Sequence, residues 1–349
     1  MKLDDLISHT SEWLRGVGPN ADIVISSRIR LARNLSDRIF PHWANKAQAE
    51  ETLLTIKKAI EKTDILKDAT FFRLVEMDNV DKQLLIERHL MSKEHASNTD
   101  SKAVVIDSEE VISLMVNEED HLRLQVMKSG FDLFEAWQLI NEIDDSLSKE
   151  LPFAFSQDWG YLTSCPTNTG TGMRGSLMLH LPALVMLHTI NKVLAAIAKL
   201  SFTTRGLYGE GTQATGNFFQ VSNQVSLGQP EDEIIRNING LIRQIIEQEE
   251  QARSMLFKKQ KAFLEDRIWR AYGVLKNAYI ITSDETIELL SMVRLGQDLN
   301  IVKGLDRRTV NELFILTQPA HLQKLEGKKL SSQERDLKRA SIIRSKLIK

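Results

Sequence analysis

Apolar and polar residues alternate along residues 22–31, where Ile23, Ile25, Ile29 and Leu31 share one parity and Arg28 and Arg30 share the other. Side chains two positions apart point the same way on a strand, so this segment reads as a half-buried strand projecting both arginines from one sheet face. A helix is predicted over residues 46–63, followed by strand-like composition in TFFRLVEMD. Short apolar runs in KAVVID, EVISLMV and HLRLQVM predict an antiparallel sheet. In the last run Leu122, Leu124 and Val126 alternate with Arg123 and Gln125, which puts Arg123 on the polar face. Helical periodicity returns in LFEAWQLINEIDDSL, YLTSC and SLMLHLP read as strands, and PALVMLHTINKVLAAIAKL reads as one buried helix with Pro182 in its first turn. Glycines 206, 209, 211 and 216 break structure ahead of NFFQVSNQ.

Beyond Pro230 apolar residues recur every three or four positions as far as Leu275, interrupted at Gly240 and Gly273. Thr282 with Glu285, and Ser331 with Glu334, have the spacing of capping boxes at two later helix starts. The pattern predicts an α+β chain: a domain over residues 1–245 with an antiparallel sheet flanked by helices, then an α-helical domain over residues 246–349. Long amphipathic helices carry apolar surface beyond one domain's core and predict a homodimer.

Composition narrows the classes. The chain has 349 residues, 42% hydrophobic and 26% charged, an ordinary globular balance. Its formal charge of -2 argues against a nucleic-acid partner held by bulk electrostatics but leaves room for a local basic pocket. No apolar run approaches the roughly 18 to 20 residues that cross a bilayer, so no membrane partner is expected. Acidic residues follow Lys2 directly, unlike a secretion signal. The one cysteine, Cys165, excludes an intrachain disulfide framework and fits a reducing compartment, so a cytoplasmic location is expected. Cysteine and histidine placement makes no zinc signature, and no protein-held metal is expected.

The candidate chemistry lies in arginines beside turns: Arg28 and Arg30 in VISSRIRLARN, Arg123 in NEEDHLRLQ, Arg174 in CPTNTGTGMRG and Arg205 in RGLYGEGTQATG. Guanidinium forks bind phosphate oxygens in pairs and can hold a polyphosphate without a Gly-Lys-Thr loop. Glycines 170, 172 and 175 allow a compact loop that turns amides and Arg174 toward phosphate. Glu118, Glu119 and Asp120 are consecutive, so their side chains diverge: one can receive a substrate proton while another orients the substrate. Glu210, between Gly209 and Gly211, can hold a guanidinium jointly with Glu119. A thiolate at Cys165, favoured by positive surroundings, can polarise a guanidino nitrogen without covalent attachment. His89 and His180 are further candidates for nucleotide contact, although His180 alternates with Leu179 and Leu181 as the end of a strand would.

Together VISSRIRLARN, ERHLMS, NEEDHLRLQ, CPTNTGTGMRG and RGLYGEGTQATGNFFQVSN resemble the ATP:guanidino phosphotransferases, the phosphagen-kinase family, over roughly residues 20–240. The resemblance implies a phosphagen-kinase-like catalytic domain with ATP held at Arg28, Arg30, Arg123, Arg174 and Arg205. It implies a catalytic carboxylate at Glu119, a second guanidinium-binding carboxylate at Glu210 and a substrate-contacting thiol at Cys165. Mg²⁺ is expected only as the companion of the nucleotide. Only 21 residues precede Asp22, where small-molecule members carry a helical domain that helps enclose the acceptor. Thr169 stands where the family has an aliphatic residue, and Ser226 where it has a basic one.

The open acceptor side and the helical C-terminal region are similar to a bacterial branch of the family that phosphorylates arginine side chains of proteins. That likeness implies clients marked for a Clp-type ATPase and protease, control of a heat-shock repressor and a zinc-binding activator protein. It also implies a phosphoarginine-sensing segment at RDLKRA with Arg335, Asp336 and Arg339, where Arg335 and Arg339 are four apart on one helix face. A small-molecule guanidino kinase and a catalytically inactive phosphoarginine-binding adaptor are the alternatives.

Overall fold

The computed structural model describes residues 3–206 and 215–347. An eight-stranded, wholly antiparallel sheet forms its centre, in the order β2-β3-β4-β5-β1-β8-β10-β9. In chain order the strands are β1 (Val24–Arg33), β2 (Thr70–Arg73), β3 (Ala103–Ile106), β4 (Ile112–Val116) and β5 (Leu122–Ser129). A small hairpin of β6 (Phe155–Ser156) and β7 (Gly160–Tyr161) follows, then β8 (Met173–His180), β9 (Phe202–Arg205) and β10 (Phe218–Asn223). The helices are α1 (Asp5–Ser8), α2 (Lys46–Lys62), α3 (Asn79–Glu87), α4 (Leu133–Ser148), α5 (Pro182–Met186) and α6 (Ile190–Lys199). The C-terminal part is helical: α7 (Glu231–Lys259), α8 (Lys261–Asn277), α9 (Ser283–Asp298), α10 (Arg307–Leu316), α11 (Pro319–Glu326) and α12 (Ser332–Leu347).

Period-2 alternation on β1 sorts the two faces of the sheet. Ile29 and Leu31 are fully buried on the side covered by α4 and α7. Helix α7 comes so close that a Cβ at Gly175 would lie 2.6 Å from Ile238 Cδ1, so a larger residue at this point of β8 would have to push that side chain aside. The opposite face is closed near β2–β4 by an apolar cluster of Leu74, Leu85, Leu90, Met91, Val104, Ile106 and Met115. Farther along it carries the polar side chains of β5, β1, β8 and β10.

Arg33 has the other parity from Arg28 and Arg30, and it turns into the interior. Its Nε and Nη2 bond Asp144 of α4 at 3.0 and 2.7 Å, and its Nη1 donates to Ala32 O and Thr171 O, both at 2.9 Å. The guanidinium also lies 3.4 Å over the Tyr161 ring. This pair joins sheet, helix and the loop before β8, and removing one member strands a buried charge. Asp144→Ala should lower the unfolding free energy by about 3 kcal/mol; a urea midpoint equal to that of the unaltered chain would show that Arg33 finds other partners.

Several predicted elements change on folding. Residues 182–199 form two helices, because His188 takes a left-handed turn (φ 57°) between α5 and α6, and α6 buries only Val193 and Ile197. Of YLTSC only Tyr161, the last residue of β7, lies in a strand. The long helical run breaks at Gln260, not at Gly240 or Gly273, where an added Cβ would meet nothing. A glycine in a helix costs about 1 kcal/mol, less than the buried stripe of Ile234, Ile238, Ile242 and Ile245 supplies to α7. Ser331 and Glu334 form the expected capping box, and Thr282 accepts from Glu285 N.

The apolar core runs without interruption from the sheet to Ile343 and Leu347 of α12. Polar clusters reinforce this seam. Fully buried Arg294 of α9 donates to Ala21 O and Asp22 O, and His321 of α11 lies 2.9 Å from Glu87 of α3. Among the described residues no helix is long and apolar enough to cross a membrane.

Candidate active site

A cleft of about 900 Å³ opens on the polar face of the sheet, lined by Arg28, Arg30, Arg123, Arg174 and Arg205 together with Glu118, Glu119 and Cys165. Register explains why residues so distant in sequence meet. Arg30 stands opposite Arg174 on β8 and Gln125 on β5, Arg123 opposite Ala32, and Arg205 opposite Gln220. Cross-strand partners share a face, so neighbouring strands each contribute an arginine to one surface.

These cations crowd one another. Burial and then Arg123, Arg174 and Arg205 bring Arg28 down to about 9, and burial followed by Arg28, Arg123 and Arg174 pushes Arg30 well below its ordinary value, with Glu118 opposing. Arg28 is aimed by two hydrogen bonds, Nε to Ser176 Oγ at 3.2 Å and Nη2 to Gln220 Oε1 at 3.0 Å. The buried Nε of Arg30 has no hydrogen-bond partner among the described residues. Like charges on adjacent strands destabilise a sheet, and a polyanion with several acceptor oxygens removes that cost.

The turn between β4 and β5 gives its three carboxylates separate tasks. Glu118 receives Arg123 Nη1 on both oxygens, at 2.8 and 2.6 Å, and a hydrogen bond from Ser92. Burial alone would raise its pKa, but Arg123 and Ser92 outweigh burial and hold it at about 2. Buried Asp120 accepts from Asn34 Nδ2 and from Ser164 N, both at 2.6 Å, and so staples the turn to the segment leading into Cys165. Glu119 remains at the cleft, half-buried, its carboxyl pushed up by burial first, then by Asp120 and Glu118, against the pull of Arg123 and His42.

Cys165 opens a short turn over Pro166–Asn168, with Sγ 3.0 Å from Thr167 Oγ1. Ser226 supports this loop: its Oγ lies 2.9 Å from the carbonyls of both Thr167 and Thr169, and its own carbonyl accepts from Thr171 N. Gly172 has φ 66°, and a Cβ there would lie 2.7 Å from Ala32 O, so the loop can sit against β1 only with glycine at this point.

His89 lines the cleft beside Arg28, its ring meeting Trp13 edge-on at 5.5 Å. Burial and Arg28 lower its pKa to about 4, so the ring is neutral near pH 7. A small apolar pocket lined by Trp13, Met178, Phe218 and Phe314 shares Arg28, His89 and Gln220 with the cleft. His180, in contrast, is fully buried between Ser291 and Arg294 and stacks on Phe218, so it ties β8 to α9 and does not reach the cleft. Glu210 belongs to residues 207–214, outside the described residues.

The C-terminal triplet does not present both guanidinium groups to solvent, as the helix face alone suggests. Arg339 is buried, donating to Thr317 O at 2.8 Å and Ile281 O at 2.9 Å and pairing with Asp336. Arg335 is half-buried and donates to Leu330 O at 2.8 Å.

Ser92, Ser176, Gln220 and Asn34 are the orienting residues that sequence reading missed, whereas Asp120 was one of the three candidate carboxylates and takes the bracing task. For Ser176 and Gln220 the signal was their place on the polar parity of β8, which adjoins β1, and of β10 next to it; Ser92 and Asn34 carry none. Among the described residues no three His, Cys, Asp or Glu side chains gather as a metal cage.

Two family models match this chain: "ATP:guanido phosphotransferase, C-terminal catalytic domain" over residues 51–252 and "Protein-arginine kinase McsB C-terminal domain" over residues 261–349. It is 48% identical over 348 residues to a protein-arginine kinase of Halothermothrix orenii, covering 99% of each chain. It is also 48% identical to one of Moorella thermoacetica, covering 98% of each. Among solved structures, the duplicated taurocyamine kinase of Schistosoma mansoni, with bound transition-state-analogue components, aligns with a TM-score of 0.62 and 25% identity over 70% of this chain and 35% of that one. A lombricine kinase aligns with a TM-score of 0.58 and 25% identity over 65% of this chain and 66% of that one.

Proposed function

We infer how the cleft works from the premise that this chain belongs to the protein-arginine kinase family of ATP:guanidino phosphotransferases and transfers phosphate from ATP to arginine residues of proteins. One observation carries the assignment of roles: five arginines, Glu119 and Cys165 line a single cleft, while the neighbours of Glu119 are already committed to Arg123, Asn34 and Ser164. The arginine face takes the phosphates, and the apolar end beside His89 and Trp13 takes the base.

A protonated guanidinium, with a pKa above about 12, is a poor nucleophile, so its proton must leave as it attacks. Glu119 accepts that proton. The N–P bond forms as the bond from the γ-phosphorus to the bridging oxygen breaks, ADP departs, and the arginines stabilise charge on the transferring group. Glu118 acts on the substrate side by anchoring Arg123, Cys165 polarises the attacking nitrogen, and Glu210 holds the far edge of the guanidinium. Mg²⁺ fits as an ion carried by the nucleotide's phosphates and water, where it supplies charge neutralisation.

The raised pKa of Glu119 sets a pH dependence. The base works only when ionised, so transfer should fall as pH drops, with the acid limb lying above the ordinary value of a glutamate. Asp120→Asn keeps an oxygen for Asn34 and Ser164 but removes the second largest cause of the rise, so the acid limb should move to lower pH. Phosphoarginine formation, followed with a non-acidic quench, checks this; an unmoved limb would assign it to another group.

Residues 1–245 are read as the catalytic unit and 246–349 as the regulatory and dimerising one, with α7 shared between them. Arg335, Asp336 and Arg339 are assigned to phosphoarginine sensing, in which Arg335 makes the first contact and Asp336 exchanges Arg339 for the incoming guanidinium. Clients bound for a Clp-type ATPase, a heat-shock repressor, a zinc-binding activator and a cytoplasmic location complete the reading. Light scattering from a concentration-independent monomer would remove the dimer, and phosphoarginine binding unchanged in Arg335→Ala would remove the sensing role.

A further inference from the structure

Two loops are fastened to the acidic turn, and both carry exposed apolar side chains that are not part of the cleft lining. Residues 35–40 are held by His121, whose Nδ1 accepts from Leu35 N at 3.1 Å, whose Nε2 lies 3.0 Å from Ile39 O and whose ring meets Phe40 edge-on. The same loop continues into His42, which lines the cleft, and then Trp43, which is 85% exposed; Ile39 is 49% exposed. Residues 162–165 are held by Asp120 and lead back into the β6–β7 hairpin, where Phe155 and Trp159 are 59% and 57% exposed. Tyr161 of that hairpin bonds Gly170 O at 2.7 Å, which joins it to the Cys165 loop from the other side as well.

Isolated exposed hydrophobics are ordinary, but four of them on the two loops that brace one catalytic turn mark an interaction surface. The acceptor is an arginine within a protein, and the first loop reaches the cleft at His42 while the second ends at Cys165, so both lead away from the residues that line it. Exposed Asp158 lies among the apolar residues, and Asp37 beside them shares its charge with Arg38 at 3.8 Å and Arg38 with Glu51, which leaves the rim acidic on balance and favours a segment that is basic and apolar over an acidic one.

We propose that Ile39, Trp43, Phe155 and Trp159 form a docking rim for an extended segment of the substrate protein, gripping aromatic or branched aliphatic residues within a few positions of the target arginine. This rests on the assignment of the Glu119 side as the acceptor side. Large, partly exposed rings such as Trp are the residues on which binding energy concentrates. The rim therefore selects arginines by their apolar neighbours.

The test uses the full chain with Mg-ATP and matched peptides in which one arginine is flanked by Gly and Ser, by Phe and Leu, or by Asp. Phosphoarginine should form on the apolar-flanked peptide with a kcat/KM about tenfold above the Gly/Ser peptide, carried by KM, and least on the acidic one. Trp43→Ala and Trp159→Ala should each reduce that preference while leaving the Gly/Ser peptide unchanged. Equal rates on the three peptides, or a preference that survives both substitutions, would overturn the rim. A fall in molecular mass on light scattering of Trp43→Ala would assign the patch to a second copy of the chain and overturn it too. Phosphoarginine on none of the peptides would instead remove the acceptor-side assignment beneath it.

Discussion

Glu119→Gln should lower transfer to a protein arginine by roughly 10²- to 10⁴-fold, the range supplied by a positioned general base, while ATP still binds. The substitution keeps shape and removes only the ability to take up a proton. Glu118 still holds Arg123, Asp120 still staples the Cys165 segment, and the arginines that line the cleft are untouched. A nucleotide-binding titration and phosphoarginine detection after a non-acidic quench separate the two effects. Transfer within a few-fold of the unaltered chain would defeat the base assignment, because no other carboxylate among the described residues of this turn is left uncommitted.

Arg28→Ala ranks beside it, with an expected loss of about 10²- to 10³-fold in kcat, comparable to removing one preorganised donor from a developing oxyanion. Arg28 lies on the central strand, and Ser176 and Gln220 fix the direction of its fork. Arg28→Lys keeps the charge and loses the paired donors, so it should recover only part of the rate. The discriminating readout is the rate at saturating ATP. If only the KM for ATP rose, Arg28 would be an anchor for the bound nucleotide and not a stabiliser of the transferring group.

Much of this arrangement could be read from the chain, and the reasons for the misses are specific. The alternation of β1 gave the shared face of Arg28 and Arg30, because a two-residue period survives folding wherever one side of a sheet is buried. The same parity rule separates Arg33, which becomes a buried partner of Asp144. What alternation does not encode is how side chains in a turn divide among partners. Glu118, Glu119 and Asp120 look equivalent in sequence, and only the approach of Ser92, Arg123, Asn34 and Ser164 makes them different. Ser226 is a similar case: its loop-bracing role depends on carbonyls 57 and 59 positions away. Helix ends failed where a non-glycine residue took a left-handed turn, as at His188, since the apolar pattern runs straight through it.

Opposing Arg30 and Arg174 across one rung of the sheet leaves a practical mark on the isolated protein. Without nucleotide the molecule holds its least comfortable distribution of charge, so the anions of a storage buffer are not bystanders. Sulfate or inorganic phosphate would settle on the same forks, raising thermal tolerance while competing with ATP, and a preparation handled in one salt is not interchangeable with a preparation handled in another.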